Sequence, residues 1–588
     1  MKTIIELLEE TLAGAFEQAG YEAKYAKVTI SNRPDLCQYQ CNGALAAAKQ
    51  YHKAPIQMAG EVVECLADQD QFQEITAQAP GFINMTVSGA FLADYINTMA
   101  KADQYGISAP EKQETIVIDY GGANVAKPLH VGHLRPAIIG ESFKRTARYL
   151  GHKVIGDVHL GDWGLQIGLV ITELKHRQPE LVYFDDSFEG EYPQEAPFTM
   201  DDLEEIYPYA SNYSKEHEEY KVEAQQATAD LQAGKPGYLA LWKHILNVTM
   251  PDLKKIYDSL NVEFDLWKKE SDAQPYIPDM VQQMKDGGYA HIDQGALVVD
   301  VKEDTDTKEI PPCMILKSNG ATLYNTTDLA TIVERRKLFD PTRIIYVTDK
   351  RQDLYFEQVF RCARKTKIIG SDVDLVFVGH GTMNGKDGKP FKTRDGGVLR
   401  LQALLADVTE QVREKMADRD MDEQTMKETV AKITLAAIKY GDLSNQAAKD
   451  YVFDVDRFIS FEGNTGPYIL YTIVRTKSLL AKAADNGITV PEETEILPAS
   501  SAAQTDVMLA LSRWGETVQT AYAELAPHKI CQFVYELSDA FNKFYHETKI
   551  LTAENEDDRA SYIQLCRLVG EVLETAIDLL GLEAPDRM

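Results

Sequence analysis

Long apolar runs are missing from this sequence. None approaches the roughly 18 residues that a bilayer-spanning helix needs, so no transmembrane segment is expected. The first segment, MKTIIELLEETLAGAFEQAGY, also lacks the unbroken apolar stretch of a signal peptide, because Glu6, Glu9 and Glu10 interrupt it. Cysteine is scarce: seven residues, an odd number, run from Cys37 to Cys566, which speaks against a disulfide framework and for a reducing compartment. The expected address is therefore cytoplasmic. Cys37 and Cys41 form a C-x3-C with no second ligand pair nearby, so no zinc site is expected there. Internal repeats and long low-complexity linkers are absent, and a composition of 44% hydrophobic and 26% charged residues excludes a collagen, a mucin or a disordered tail. Positive charge is in the minority, with 61 Lys and Arg against 91 Asp and Glu and a formal net charge of −30. Taken alone, that balance argues against a polyanionic partner.

What is present reads as a soluble globular chain of 588 residues, enough for about three or four folding units. Residues 1–110 read as an α+β unit. Ile4, Leu8, Leu12 and Phe16 share one helical face up to Gly20, a polar turn follows at 31–35, an Ala-rich helix runs from Gly43 to Tyr51, and Phe82–Val87 reads as a strand. At Thr115 the character changes. TIVIDY reads as a buried strand, a Gly-rich turn follows, the pattern is helical from about Gly132 to Leu150, and KVIGDV is the next strand. Strand, helix and strand at this spacing make a βαβ unit with a right-handed crossover, so a parallel sheet is expected over 111–405. The theme returns as a strand at 343–349, a helix at 352–366 and a strand at 373–379. Residues 185–230 hold fourteen acids against Lys215 and Lys221 and read as a solvated helical insertion. After about 405 the strand signals vanish. Val507, Leu511, Trp514, Val518 and Tyr522 step by three or four, as do Phe533, Leu537, Phe541 and Phe544, so 406–588 reads as an all-α bundle.

The chemistry concentrates after the first strand of the βαβ unit, in Asp119-Tyr-Gly-Gly-Ala-Asn124-Val-Ala-Lys127-Pro-Leu-His130-Val-Gly-His133-Leu-Arg-Pro. A Gly-rich turn entering a helix at the carboxyl end of a parallel strand presents backbone N–H groups to an anion, and phosphate is the natural candidate. Neither the dinucleotide fingerprint nor the P-loop is present. Instead two imidazoles flank Gly132, which lets a bulky ligand approach the backbone, and Lys127 lies three residues upstream of His130. These donors suit a phosphate whose charge grows during displacement. From the residues alone, metal ligation and a structural role compete as blander readings of His130 and His133; the i, i+3 spacing and the lack of an acidic third ligand close by speak against the metal.

H-V-G-H after a strand, entering a helix, resembles the H-I-G-H signature of class I aminoacyl-tRNA synthetases. The longer string N-x-A-K-P-L-H-V-G-H-L-R, followed by Gly161-Asp162-Trp163-Gly164, is similar to the arginyl-tRNA synthetase family. The resemblance implies an α/β fold in which a Rossmann-like parallel-sheet catalytic domain joins an N-terminal α+β domain and a C-terminal helical anticodon-binding domain. It implies arginine, ATP and tRNA(Arg) as substrates, Mg²⁺ accompanying ATP, and a monomer with no membrane partner. The second class signature, K-M-S-K-S, corresponds to Gly388-Lys389-Pro390-Phe391-Lys392-Thr393-Arg394-Asp395-Gly396-Gly397, where Pro390 takes the first lysine position. Lys127 is the residue implied to substitute for it. The catalytic set thus implied is Lys127, His130, His133, Lys389 and Lys392, with Gly132 and Arg394 joining Lys127, both histidines and Lys392 around ATP. The arginine site is implied to comprise Asp119, Asn124, Tyr324, Asp328 and Gln352. In that set Asp328 meets the guanidinium beside Tyr324, Asp119 and Asn124 orient the α-ammonium and carboxylate, and Gln352 assists. Residues 33–51 and Gly81–Asn84 look like the tRNA-contacting N-terminal domain. Asp442-Leu-Ser, Phe461–Tyr468, Phe544–Glu547 and Pro585–Met588 look like the anticodon-binding domain, with Tyr468, Tyr545 and Met588 as candidate tRNA contacts.

Three alternatives compete with this reading. They are a class I synthetase for another amino acid, a catalytically inactive tRNA-binding relative, and a metal-dependent hydrolase built on His130, His133, His152 and His159. Charge distribution bears on the nucleic-acid partner. Residues 350–400 hold eleven basic and six acidic residues, whereas 185–230 carries fourteen acids and two lysines. A positive face near the site can therefore coexist with an acidic surface elsewhere.

Overall fold

Local sequence sets each element before packing fixes it. In the computed structural model, which describes residues 1–391 and 399–588, the helix Ile4–Gln18 starts at a capping box. The Thr3 hydroxyl accepts from the Glu6 amide at 3.2 Å while the Glu6 carboxylate accepts from the Thr3 amide at 2.7 Å. Its apolar stripe, Ile4, Leu8, Leu12 and Phe16, is fully buried. The chain forms two compact units: residues 1–109 with 461–578 and 583–588, and residues 110–460 with 579–582.

In the first unit, strands β1 (Val28–Ile30), β2 (Tyr39–Cys41), β3 (Phe72–Gln78) and β4 (Phe82–Val87) make an antiparallel sheet of order β1-β2-β4-β3. The same unit holds the helices Gly466–Asp485, Ala502–Ser512, Trp514–Ala523, Pro527–Glu547 and Glu556–Asp578. Asn97 joins the two parts of the unit, donating to the Ile496 carbonyl at 2.9 Å and accepting from its amide at 2.8 Å. The apolar stripe 507–522 continues across two helices that break at Arg513. Trp514, fully buried, packs on Phe533 with ring centroids 5.1 Å apart.

The second unit is built on β5 (Thr115–Asp119), β6 (Lys153–Asp157), β10 (Arg343–Asp349) and β11 (Asp374–His380), all parallel, in the order β11-β10-β5-β6. Between them in sequence come β7 (Ala290–Asp293), β8 (Ala296–Val299) and β9 (Cys313–Leu316), a small antiparallel sheet; β12 (Met383–Asn384) pairs with β13 (Tyr451–Val452). The order reverses between β5 and β10, and an open parallel sheet binds ligands at such a switch point, beyond the carboxyl ends of its strands. The helix Leu134–Tyr149 presses closely on the sheet. A Cβ on Gly140 would fall 2.3 Å from Tyr120 Cγ, so only glycine fits there.

The acidic segment forms the helices Met200–Glu216 and Glu218–Gln232, whose inner residues Leu203, Ile206, Ala210, Tyr220 and Ala224 are buried, the pair packing on the helix Leu165–Arg177. The helices Leu401–Met416 and Glu423–Leu443 also lie in this unit. Asp442, grouped by resemblance with the C-terminal domain, is buried here against Arg135, 3.0 Å away. Among the described residues no helix is long and apolar enough to cross a membrane.

Candidate active site

The chain leaves β5 and reaches His130 in extended conformation, turns through Val131–His133 and enters the helix Leu134–Tyr149. The two imidazoles stack at 3.9 Å between centroids, inclined by 37°. The Gly132 amide donates to His130 Nδ1 at 3.1 Å, and the His130 amide donates to His133 Nδ1 at 3.0 Å. With both Nδ1 atoms accepting, the neutral rings carry their protons on Nε2 and offer them as donors. Burial, reinforced by the charge of Lys127, pushes His130 down to about 4; burial lowers His133 as well. Both rings are thus neutral near pH 7. Lys127 is half-buried and burial alone lowers its pKa.

A cleft of about 220 Å³ opens beside these rings at the switch point. His130, Val131 and Gly132 form one wall; Asp349 at the end of β10 and His380 at the end of β11 form another, with Pro390 and Phe391 across from them. Lys389 is exposed on a turn in which Gly385 N–H donates to its carbonyl at 2.8 Å. Lys392 and Arg394 lie outside the described residues. The chain rejoins the site at Leu399–Leu401, where Val131 N–H donates to the Leu399 carbonyl and Leu401 N–H to the Leu129 carbonyl, each at 3.0 Å.

A second group of charges lies at the carboxyl ends of β5 and β6, where Asp119 and Asp157 are in register. Arg335, from the helix Tyr324–Phe339, donates through one Nη to both, at 2.6 and 2.9 Å. His159 stands 3.7 Å from Asp157. Burial alone would raise Asp157, but His159 and Arg335 overcome it and hold the carboxyl far below its usual range; burial opposes the charge on His159, yet Asp157 and Asp119 carry it up to about 9. Two anions and two cations therefore balance.

The balance fails one layer further out. Asp328, one turn along from Tyr324, accepts a hydrogen bond from the Tyr355 hydroxyl and is raised by burial. Glu270 is raised to about 8 by burial and by the neighbouring Asp328 and Asp162, against the lowering effect of His159. Among the described residues neither carboxyl has a Lys or Arg partner. The Gly161-Asp162-Trp163-Gly164 turn packs against the same region. A Cβ on Gly161 would sit 2.0 Å from Asn124 Oδ1, and one on Gly164 would sit 2.5 Å from Gln166 Oε1 and 3.4 Å from the Tyr324 hydroxyl. Asp162 anchors the turn by accepting from the Ser271 amide at 3.0 Å and hydroxyl at 2.6 Å. Among the described residues, Trp163 Nε1 and Gln166 Nε2 find no hydrogen-bond partner there and are buried.

Asp119, Asn124, Tyr324 and Asp328 thus lie in one neighbourhood beyond the carboxyl ends of β5 and β6. Gln352 is exposed on the turn after β10. Glu270, Arg335, His159 and Tyr355 complete the arrangement. No spacing in the sequence tied Glu270 to Tyr324, and only the fold brings them together. In the first unit, Tyr468 and Tyr545 are half-buried on a shared face. Asn542 donates to the Tyr468 hydroxyl at 2.9 Å, and the Arg475 guanidinium lies 4.8 Å from the Tyr545 ring and 4.9 Å from that of Tyr471. Met588 is half-buried at the end of the chain.

A parallel sheet with H-V-G-H at its switch point is the arrangement of a class I synthetase, and residues 95–455 match the family described as tRNA synthetases class I (R), catalytic domain. Residues 2–87 match the arginyl tRNA synthetase N terminal domain and 469–588 the DALR anticodon binding domain. Arginine–tRNA ligases of Agathobacter rectalis and Alkaliphilus oremlandii are 58% and 56% identical to this chain over the whole of both partners. The chain belongs to the arginyl-tRNA synthetase family. Its fold matches the arginyl-tRNA synthetase structures of Plasmodium falciparum (TM-score 0.81, 22% identity) and Thermus thermophilus (TM-score 0.79, 21% identity), each covered fully in both chains.

Proposed function

We propose that the protein is an arginine–tRNA ligase and that the pocket between Asp328 and Glu270 is where it reads arginine. The observation that carries the assignment of the pocket is the pair of half-buried carboxyls that, among the described residues, form no ion pair with a Lys or Arg and are pushed up by burial despite His159 nearby, beside a balanced quartet. A planar guanidinium with five donors supplies the missing charge and can bond both carboxyls. Tyr324 packs or bonds beside it, Asp119 and Asn124 orient the α-ammonium and carboxylate, and Gln352 assists.

ATP lies in the cleft at the switch point. The arginine carboxylate attacks the α-phosphorus in line, pyrophosphate leaves, and arginyl-adenylate forms; a terminal ribose hydroxyl at the 3′ end of tRNA(Arg) then takes the arginyl group and AMP leaves. His130 and His133 donate Nε2–H bonds to phosphate oxygens as charge develops, Gly132 admits the nucleotide, and Lys127 supplies the cation in place of the lysine that Pro390 replaces. Lys389, Lys392 and Arg394 belong to the second signature and act on the same phosphates. Mg²⁺ arrives on the nucleotide, held mainly through phosphate oxygens. The donor set suits this, because the cleft's carboxylate, Asp349, is already bidentate to Arg351 at 2.6 and 2.8 Å. The N-terminal α+β part and the C-terminal helical part contact the tRNA, with Tyr468, Tyr545 and Met588 among the contacts. The protein works as a monomer in the cytoplasm. Charging of unfractionated tRNA with each of the twenty labelled amino acids tests the reading. Arginine alone should become acid-precipitable, and charging with any other amino acid at a comparable rate would refute it.

A further inference from the structure

The acidic insertion, whose charge suggested only a solvated face, brings two residues to the mouth of the active site. Tyr207, on the helix Met200–Glu216, presents its ring to Lys127, with Nζ 5.9 Å from the ring centroid. The rest of the ring packs against the buried cluster of Leu169, Ala210, Tyr220 and Ala224, so its position is fixed from behind. Glu204, three residues earlier, is paired with Arg400, whose backbone lies opposite that of His130 in the short antiparallel bridge closed by Val131 N–H to the Leu399 carbonyl and Leu401 N–H to the Leu129 carbonyl. The helix is therefore tied to both the lysine and the histidine of the first signature.

Among the described residues Lys127 has no carboxylate partner. A carboxylate would hold the ammonium in place, but it would also neutralise the charge and compete with an incoming phosphate. An aromatic face attracts the cation through its quadrupole and leaves all three N–H groups free. We propose that Tyr207 is a positioning residue that aims Lys127 at the polyphosphate of ATP, and that the Glu204–Arg400 pair holds its helix in register with His130. The inference rests on the assignment of Lys127 to ATP.

The test compares the full-length protein with Tyr207→Phe, Tyr207→Leu, Lys127→Met, the Tyr207→Leu/Lys127→Met double variant and Glu204→Gln. ATP and arginine affinities are measured by calorimetry, and KM for ATP by pyrophosphate exchange. Tyr207→Leu should weaken ATP by roughly two- to fivefold while arginine affinity stays constant, and Tyr207→Phe should restore it, because either ring offers a π face. Glu204→Gln, which removes the charge of a half-buried partner of Arg400 while keeping its size, should weaken ATP in the same direction. In the Lys127→Met background, Tyr207→Leu should have no further effect. Unchanged ATP affinity in Tyr207→Leu, or a loss that persists fully in the Lys127→Met background, would overturn the role of Tyr207. Unchanged ATP affinity in Lys127→Met would instead overturn the assignment of the lysine itself, and with it the proposal.

Discussion

Lowering the pH from 8 to 6 should weaken arginine binding, because it protonates Glu270 in the free protein. Burial, with Asp328 and Asp162 beside it, raises this carboxyl to about 8. At pH 7 roughly nine in ten unliganded molecules therefore hold the extra proton. A guanidinium seated between Glu270 and Asp328 favours the ionised form and returns the bound carboxyl to the acid range. The free state binds the extra proton, so affinity rises with pH up to about 8 and is level above it. Below about 8 it falls by approximately tenfold for each unit, a cost of about 1.4 kcal/mol at pH 7 and roughly twice that at pH 6. His159, held at about 9, keeps its charge across this window. Calorimetry at pH 7 in two buffers of different ionisation enthalpy should report release of about 0.9 proton per arginine. Glu270→Gln should remove most of that release, flatten the pH dependence and weaken binding at pH 8 by about tenfold or more, the worth of a charged hydrogen bond. Absence of proton release at pH 7, or release undiminished in Glu270→Gln, would refute the reasoning.

Three other outcomes follow from the same geometry. Asp328→Ala should abolish arginine binding while ATP binding persists; an unchanged arginine affinity by calorimetry would remove Asp328 from the pocket. Arg335→Leu leaves buried Asp157 and half-buried Asp119 without their shared cation and should destabilise the fold by about 3–5 kcal/mol, measured by urea unfolding, whereas a wild-type midpoint would contradict the quartet. The His130 ring, pushed down to about 4 by burial and by Lys127, should show no change in its proton NMR shifts between pH 8 and 5.5, and a titration near 6.5 would contradict the buried neutral donor.

Much of the fold could be read in the sequence because local signals and tertiary structure agree there. Gly43–Tyr51, Phe82–Val87 and Arg343–Asp349 form at the residues their patterns indicate, and TIVID and KVIGD pair as adjacent parallel strands. The H-V-G-H turn was legible for the same reason, since its chemistry lies in one short contiguous string. The proposed arginine pocket was only half legible. Asp119, Asn124, Tyr324 and Asp328 stand out through family resemblance, whereas Glu270 and Arg335 carry no local signature and acquire meaning only when β5, β6 and the helix Tyr324–Phe339 converge. Composition read the acidic segment as a helical insertion, and helices form there. A run of acids describes the outer face of Met200–Glu216 correctly, but it hides Tyr207 on the inner one. Net charge misled as a guide to the partner, since −30 over the chain coexists with eleven basic against six acidic residues over 350–400.

The central claim is that this chain activates arginine by reading its guanidinium. Amino-acid-dependent exchange of pyrophosphate into ATP, run with arginine, lysine and citrulline and with and without tRNA, tests it most directly. Arginine should support exchange when tRNA is present, and lysine and citrulline should fall behind by roughly 10⁴-fold because they leave the buried carboxyls unpaired. Exchange supported equally by citrulline, or none with arginine in either condition, would contradict the account.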